Sequence, residues 1–389
     1  MNETFLATAP FGLEAVVARE LEELGFHERS VENGRVFFSA DALGALRSNL
    51  WLRTADRVLW VVGQFEARTF DELFEGVKAL PWADWLPRNA HFPVEGRSVK
   101  SQLSSVPACQ SIVKKAIATK LSQTYHDSWL EETGPTYAIE VSLLKDQVTL
   151  AIDTSGPGLH KRGYRVQTGP APIKETLAAA LVLLSRWRSH RPFADPMCGS
   201  GTIAIEAAWI GAGIAPGLLR SFSMESFGWL SAKAIRQLRS EAEEIKANAP
   251  KLQILASDID AQAVALTTQH AQLAGVAEYL HIAQQPLKRF DWNEPYGCLV
   301  SNPPYGERMG EDREVRLLYR ELGEIMRKHE TWSAFILTSH PLFERLYGKR
   351  SDKNRKLYNG RIECHFYQYL GPLPPLPQKQ QEQIPPEKQ

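Results

Sequence analysis

Apolar residues recur at helical spacing over residues 12–24, where Leu13, Val16, Val17, Leu21 and Leu24 form one stripe and Gly25 stands where a helix ends. Residues 4–9, 31–39 and 57–65 read as strands, and Asp41 is placed to cap a helix over 41–50. Together they predict a small α/β unit over residues 1–65. A second α/β segment follows over 66–165, with a helix at 70–80 and an extended stretch at 91–100. Pro107 opens a helix to about residue 123, because proline fits the first helical turn. Strands at 137–144 and 147–153 are joined by a tight turn at Lys145-Asp146, and Gly156-Pro157-Gly158 breaks the pattern.

From 166 to 370 strands alternate with helices. Strands are predicted at 191–194, 252–257, 279–283, 297–301, 334–338 and 364–370, with helices at 201–210, 261–274 and 314–327. That alternation specifies an α/β fold, a doubly wound, mostly parallel sheet with helices on both faces. The tail, 371–389, is rich in Pro and Gln and is expected to be disordered.

Length and composition narrow the class. A chain of 389 residues exceeds one compact core, and 43% hydrophobic with 23% charged residues excludes a wholly disordered protein. No apolar run approaches the ~18 residues that cross a bilayer, and the first twelve residues show no secretory pattern. Cys109, Cys198, Cys298 and Cys364 lie far apart, so neither a metal site nor a disulfide framework is expected. A cytoplasmic, soluble protein is the expectation. The formal charge is zero, which argues against a nucleic-acid partner until its distribution is read. Residues 97–126 carry Arg97, Lys100, Lys114, Lys115 and Lys120 and no acid. Residues 154–174 carry Lys161, Arg162, Arg165 and Lys174, again without an acid, and 341–361 hold seven basic and two acidic residues. Local clusters, not the chain total, govern polyanion binding; each could equally be a solvated face.

Three motifs carry chemistry. Asp195-Pro196-Met197-Cys198-Gly199-Ser200-Gly201-Thr202 sits at a strand-to-helix junction, where glycines admit a ligand and the helix start offers free N–H groups. Its spacing is neither that of a dinucleotide fingerprint nor that of a phosphate-binding loop. Asp258, followed by Ile259, ends the next strand, where an acid can bind ribose hydroxyls; one of Asp258 and Asp260 is expected to cap the following helix. An insertion over about 211–229 must lie between the two motifs. Asn302-Pro303-Pro304-Tyr305-Gly306 follows the strand ending at Ser301. The Asn302 carboxamide and the Pro303 carbonyl can both accept from one exocyclic amine, freeing its lone pair for attack, and Tyr305 offers a ring to stack a base.

In this order the motifs resemble a class I S-adenosylmethionine-dependent methyltransferase, with a tetrad like that of enzymes acting on planar exocyclic amines. Arg162-Gly163-Tyr164-Arg165, Pro170-Ala171-Pro172-Ile173-Lys174-Glu175-Thr176, Gly201-Thr202-Ile203-Ala204-Ile205-Glu206, Asn302-Pro303-Pro304-Tyr305-Gly306-Glu307-Arg308 and Arg355-Lys356-Leu357-Tyr358-Asn359-Gly360 are similar to the THUMP-domain RNA guanine-N2 methyltransferases, notably the bacterial large-subunit ribosomal RNA branch. Lys100-Ser101 and residues 107–117 look like the THUMP segment. The resemblance implies a ferredoxin-like domain at 1–65, a THUMP domain at 66–165 and a methyltransferase domain at 166–370. It implies that Asp195, Pro196, Cys198, Gly199, Ser200, Gly201 and Thr202, with Thr176, Asp258 and Ile259, hold the cofactor. Asn302, Pro303 and Tyr305 would hold a guanine, and Lys100, Lys114, Lys115, Lys161, Arg162 and Arg165 would contact RNA. One departure stands out: Gln284 and Gln285 occupy the place of the acid that such enzymes use for adenine. No general base is expected, and Glu206 reads as a helix-packing carboxylate. The rival readings are an adenine-N6 or cytosine-N4 methyltransferase on DNA, and an RNA-binding assembly factor without turnover.

Overall fold

A computed structural model describes residues 2–127, 129–165, 173–247, 250–306 and 311–375. Pro170, Ala171, Pro172, Glu307, Arg308 and most of the tail (376–389) lie outside the described residues.

The strands are β1 (Glu3–Thr8), β2 (Arg29–Glu32), β3 (Arg35–Ala40), β4 (Arg57–Glu66), β5 (Val94–Val99), β6 (Ile139–Leu144) and β7 (Gln147–Asp153), then β8 (Phe193–Asp195), β9 (Ile254–Asp258), β10 (Leu280–Gln284), β11 (Cys298–Ser301), β12 (Ser333–Thr338), β13 (Lys353–Asn359) and β14 (Ile362–Tyr369). The helices are α1 (Glu14–Glu23), α2 (Ala42–Trp51), α3 (Phe70–Lys78), α4 (Trp82–Trp85), α5 (Val106–Tyr125) and α6 (Glu175–Ser185), then α7 (Thr202–Gly211), α8 (Ala232–Ala247), α9 (Ala261–Leu273), α10 (Glu311–Lys328) and α11 (Phe343–Tyr347).

β1 to β7 form one sheet in the order β2-β3-β1-β4-β7-β6-β5, so the two small α/β segments share a continuous ladder through the antiparallel β4–β7 pair. Residues 31–39, expected as one strand, fold back on themselves. Glu32 and Arg35 face each other across Asn33-Gly34, with Gly34 at φ 76°, the left-handed backbone that a two-residue hairpin needs. Asp41 caps α2 as expected, its carboxylate accepting from Gly44 N at 2.7 Å.

The remaining strands form a second sheet in the order β10-β9-β8-β11-β12-β14-β13, parallel from β10 to β12 and antiparallel at β14. The order reverses between β8 and β11. Connections leave that point toward opposite edges, so a crevice opens beyond the carboxyl ends of the two strands, where ligands of such sheets bind. Helix α6 and strand β13, unassigned from sequence, complete the unit. The all-apolar run of α6 gives no amphipathic signal because the helix is buried on nearly every side. Strand β13 alternates basic and polar residues at the sheet edge, which reads locally as a charge cluster.

The insertion at 211–229 does not stay with its own sheet. Ala215, Phe222, Met224 and Phe227 join the core of the first sheet. Phe227 stacks on Tyr137 with ring centroids 4.1 Å apart and carries the carbonyl that Tyr137 Oη donates to. Arg220 donates to the carbonyls of Gly158, Lys161, Ser155 and Pro157, fastening the insertion to the connecting segment. Among the described residues no helix is long and apolar enough to cross a membrane.

Because Phe227 is buried in the core of the first sheet, Phe227→Ala should cost about 3–5 kcal/mol, the usual range for a buried aromatic. Urea unfolding followed by tryptophan fluorescence measures this, and a loss below about 1 kcal/mol would contradict the seating of the insertion in that core.

Candidate active site

The strand ends at the switch point are tied together by side chains. Ser301, the last residue of β11, donates its hydroxyl to Asp195 Oδ1 at 2.7 Å, across the parallel pairing of β11 with β8. Asp195 is buried, and Met197 N also donates to the same oxygen. Burial pushes the Asp195 carboxyl up to about 7, with the nearby Asp258 acting in the same direction.

The glycine loop then turns into α7. Cys198 N donates to Ser257 O at 2.9 Å, and Gly199 N to Asp258 Oδ2 at 2.9 Å, so the loop lies directly over the end of β9. A Cβ at Gly199 would meet nothing within 4 Å, leaving this backbone open to a ligand. A Cβ at Gly201, φ 79°, would fall 2.6 Å from Thr267, so that glycine serves packing. Thr267 Oγ1 donates to Gly199 O at 2.8 Å and His270 Nδ1 lies 3.0 Å from Ser200 O. Both residues are buried on α9. Sequence reasoning missed them; their only signal is polar residues three apart on the inward stripe of a helix.

Asp258 accepts from Asp260 N through its second oxygen, while Asp260 caps α9 by accepting from Gln262 N at 2.9 Å, so the cap expected of one of the two acids falls to Asp260. Ile259 is 69% exposed, an apolar face beside the carboxylate. Gln284 donates to Ile259 O, and Gln285 to Ser257 Oγ, both turned toward this strand end. An open glycine backbone, a ribose-competent acid and an exposed aliphatic face fit an adenosine-bearing ligand with an amino-acid tail.

Asn302 follows Ser301 directly. Its Oδ1 accepts from Tyr305 Oη at 2.5 Å, and Tyr305 Oη in turn lies 3.5 Å from Asn359 Nδ2 and from Cys364 Sγ. The Tyr305 ring packs against the core of the second sheet, and burial pushes its phenol well above the ordinary value. The ring expected to stack a base is therefore engaged through its hydroxyl in orienting the Asn302 amide. Pro303 is buried, and its carbonyl receives no hydrogen bond from a described residue. The Pro304 carbonyl accepts from Tyr319 Oη at 2.6 Å, fixing the far side of the turn.

Four expected ligand or RNA contacts are corrected by their partners. Arg162, 2% exposed, donates to Glu206 Oε1 at 3.1 Å and to the carbonyls of Leu159 and Arg53, so it cannot meet a phosphate. Glu206 is the helix-packing carboxylate it was expected to be. Arg165 pairs with Glu175 at 3.1 Å and donates to Thr202 Oγ1 at 2.6 Å. Lys114 Nζ is held by Glu132 at 2.6 Å, the Phe92 carbonyl and the Phe92 ring. Thr176 is fully buried, its hydroxyl donating to Asp56 at 3.4 Å instead of facing the glycine loop. For Arg162, Arg165 and Thr176 burial demands a local partner, and that partner consumes the group; Lys114 is only partly buried, and its partner Glu132 competes with any phosphate for its charge. Lys100, Lys115 and Lys161 remain exposed.

The 162–165 segment thereby straps α7. Arg162 grips Glu206, Arg165 grips Thr202 one turn earlier, and the Tyr164 ring sits edge-on to Trp209 at 5.2 Å. Arg162 also reaches the Arg53 carbonyl, so residues from the first sheet's unit hold the helix that begins at the glycine loop.

Residues 162–368 match the RMKL-like methyltransferase domain, 4–59 the RlmL ferredoxin-like domain and 67–153 the THUMP domain. The chain is 52% identical to "Putative RNA methyltransferase YpsC" of Bacillus subtilis (strain 168), over 97% of this chain and 98% of that one. It is 35% identical to "Ribosomal RNA large subunit methyltransferase K/L" of Syntrophotalea carbinolica, covering 94% of this chain and 53% of that protein; the chain spans about half the length of such K/L relatives. Among solved structures it is similar to one described as a "predicted N6-adenine-specific DNA methylase" of Listeria monocytogenes (52% identity, TM-score 0.91, 96% of this chain and 97% of that one). It is also similar to SMU.472, "a putative methyltransferase complexed with SAH" (46% identity, TM-score 0.91, 96% and 99%).

Two outcomes follow from the partners of Asp195 and Arg162. Asp195 carries a folded-state value near 7 against about 4 when unfolded, so the native protein binds the extra proton. Its contribution to stability is fully present below pH 4 and is lost as pH rises to about 7; Asp195→Asn should flatten the melting-temperature slope over that window in scanning calorimetry. Glu206→Leu leaves the Arg162 charge buried and should cost about 3–5 kcal/mol, read by chemical denaturation.

Proposed function

The chain belongs to the RMKL-like methyltransferases, a family that uses S-adenosylmethionine, and on that premise we propose that it methylates the exocyclic N2 amine of a guanine in large-subunit ribosomal RNA. The observation that carries this reading is the Asn302 amide, fixed at the switch point with its oxygen as acceptor. The THUMP match at 67–153 and relatives named for RNA support an RNA substrate. The division at 1–65, 66–165 and 166–370 is taken as that of ferredoxin-like, THUMP and catalytic units.

Residues 195–202, Asp258 and Ile259 would hold the cofactor, whose sulfonium supplies an already activated methyl group. The chain's own task is positioning. A carboxamide oxygen has two lone pairs, and Tyr305 Oη uses one of them. The second, with the Pro303 carbonyl, is left to accept from the target amine. Two acceptors on one NH2 draw its hydrogens into a fixed plane and turn the nitrogen lone pair toward the methyl donor, and such in-line placement supplies most of the rate. The proton lost after transfer leaves to solvent, so no base is assigned. The target base must be exposed or turned out of its stack to reach this turn. Lys100, Lys115 and Lys161 are assigned to phosphate contact.

One observation favours a second reading: the tetrad suits any planar exocyclic amine, and the Listeria structure is described as a "predicted N6-adenine-specific DNA methylase".

Asn302→Ala should lower methyl transfer by about 10²–10³, the usual effect of removing one group that contacts the reacting centre, while S-adenosylhomocysteine affinity by calorimetry stays within about twofold. Nucleoside mass mapping in a deletion strain should show loss of one N2-methylguanosine from 23S RNA, restored by the intact gene and not by the Asn302→Ala form. A methyladenine or methylcytosine missing from DNA instead would favour the second reading.

A further inference from the structure

The basic cluster over residues 341–361 has no role in the site described so far. In the fold it meets two other segments. Lys353 and Arg355 of β13, Arg19 of α1 and Arg186 at the end of α6 line one cleft of about 430 Å³, with Asn354 and Gln368 beside them. The rest of its wall is apolar side chains from α1 and α6, and no carboxylate lines it. Arg19 has Glu23 at 3.8 Å, and Arg355 donates to the Gly12 carbonyl at 3.3 Å. Lys353 and Arg186 make no ion pair with a described residue, and both are exposed. Lys349 and Arg350, also exposed, lead into β13.

Bland accounts exist for single residues. A cation at the end of α6 complements the helix dipole, and a lysine on an edge strand discourages pairing with another sheet. Neither explains why cations from three separate segments converge on one concave surface whose lining holds no carboxylate. Convergent like charge is unfavourable until an anion arrives. Lys353 and Arg355 lie two residues apart on one face of a strand, roughly 7 Å, comparable to the step between phosphates along a nucleic-acid strand. The amides nearby suit sugar and phosphate oxygens.

We propose that this cleft is a second RNA-backbone site, taking phosphodiesters of the substrate RNA outside the THUMP unit; the proposal rests on the RNA reading above. Its position sets its role. Strand β13 runs parallel to β12, since both are antiparallel to β14, so Lys353 lies at the end of the sheet opposite the catalytic turns. Asn359, at the other end of β13, touches Tyr305. Six residues of strand put the cleft about 20 Å from the target base. It therefore grips RNA several nucleotides away and contributes to affinity, not to the methyl-transfer step.

The test uses the full-length protein and unmodified 23S RNA from a deletion strain. The triple variant Arg19→Gln, Arg186→Gln, Lys353→Gln spares Arg355, which is engaged with Gly12. It should lose about tenfold or more in RNA affinity at physiological salt, and its plot of log K against log salt should flatten by about 2, as loss of three phosphate contacts requires. The turnover number at saturating RNA, S-adenosylhomocysteine affinity and melting temperature should not change, and Arg19→Lys, Arg186→Lys, Lys353→Arg should restore the slope. An unchanged slope while the unaltered protein binds RNA overturns the cleft and leaves the RNA reading intact. No RNA affinity in the unaltered protein overturns both.

Discussion

A hydroxyl-to-carboxyl hydrogen bond across two parallel strand ends organises the catalytic half of this protein. Ser301 and Asp195 belong to neighbouring strands from which the chain departs in opposite directions, and their 2.7 Å contact fixes one turn against the other. The glycine loop begins on one side of that bond and the Asn302 turn on the other. On the proposed function a methyl donor and an acceptor amine must approach within a narrow geometry for direct transfer, and a rigid tie at the root of both turns meets that requirement better than flexible loops would. The same burial that makes the tie rigid raises the Asp195 carboxyl, so the site stores an electrostatic cost at neutral pH.

The outer supports repeat this logic. Tyr319 holds the Pro304 carbonyl, Tyr305 holds the Asn302 amide, and Thr267 and His270 hold the glycine loop from α9. None of these groups needs to touch substrate through a titrating atom. Their work is to remove alternative rotamers from a site whose chemistry is activated by its cofactor. A site of this kind is built from acceptors and backbone, and the buried acids around it are engaged: Glu206 by Arg162, Glu175 by Arg165 and Asp195 by Ser301.

The two sheets are held together in both directions. The insertion at 211–229 leaves the second sheet's unit to fill the core of the first, and the 162–165 strap comes back to grip α7 at Glu206 and Thr202. Arg162 links that grip to the Arg53 carbonyl. The first sheet's unit and the glycine loop thus share a mechanical connection through the buried Arg162–Glu206 pair and the Arg53 carbonyl, which resists shear because a displaced charge would be left without a partner.

Local pattern in the sequence was sufficient for most of the alternating elements of the second sheet, for the Asp41 cap, for a cap at one of Asp258 and Asp260, and for the two turns at the switch point, because these depend on spacing and on glycine and proline at fixed positions. It misread what depends on distant neighbours. Residues 31–39 look like one strand until Asn33-Gly34 is seen to close a hairpin, and α6 is invisible because burial on all sides erases its stripe. Arg162, Arg165 and Lys114 look like free cations for the same reason: a positive charge in sequence carries no record of the carboxylate that meets it across the fold. Conversely, Arg19, Arg186 and Lys353 lie in segments separated by more than 150 residues, and only packing brings them to one surface. Spacing determined the chemistry this chain can offer; which charges are consumed internally and which are left to a partner was decided by tertiary contacts, since electrostatic pairing acts through space and not along the chain.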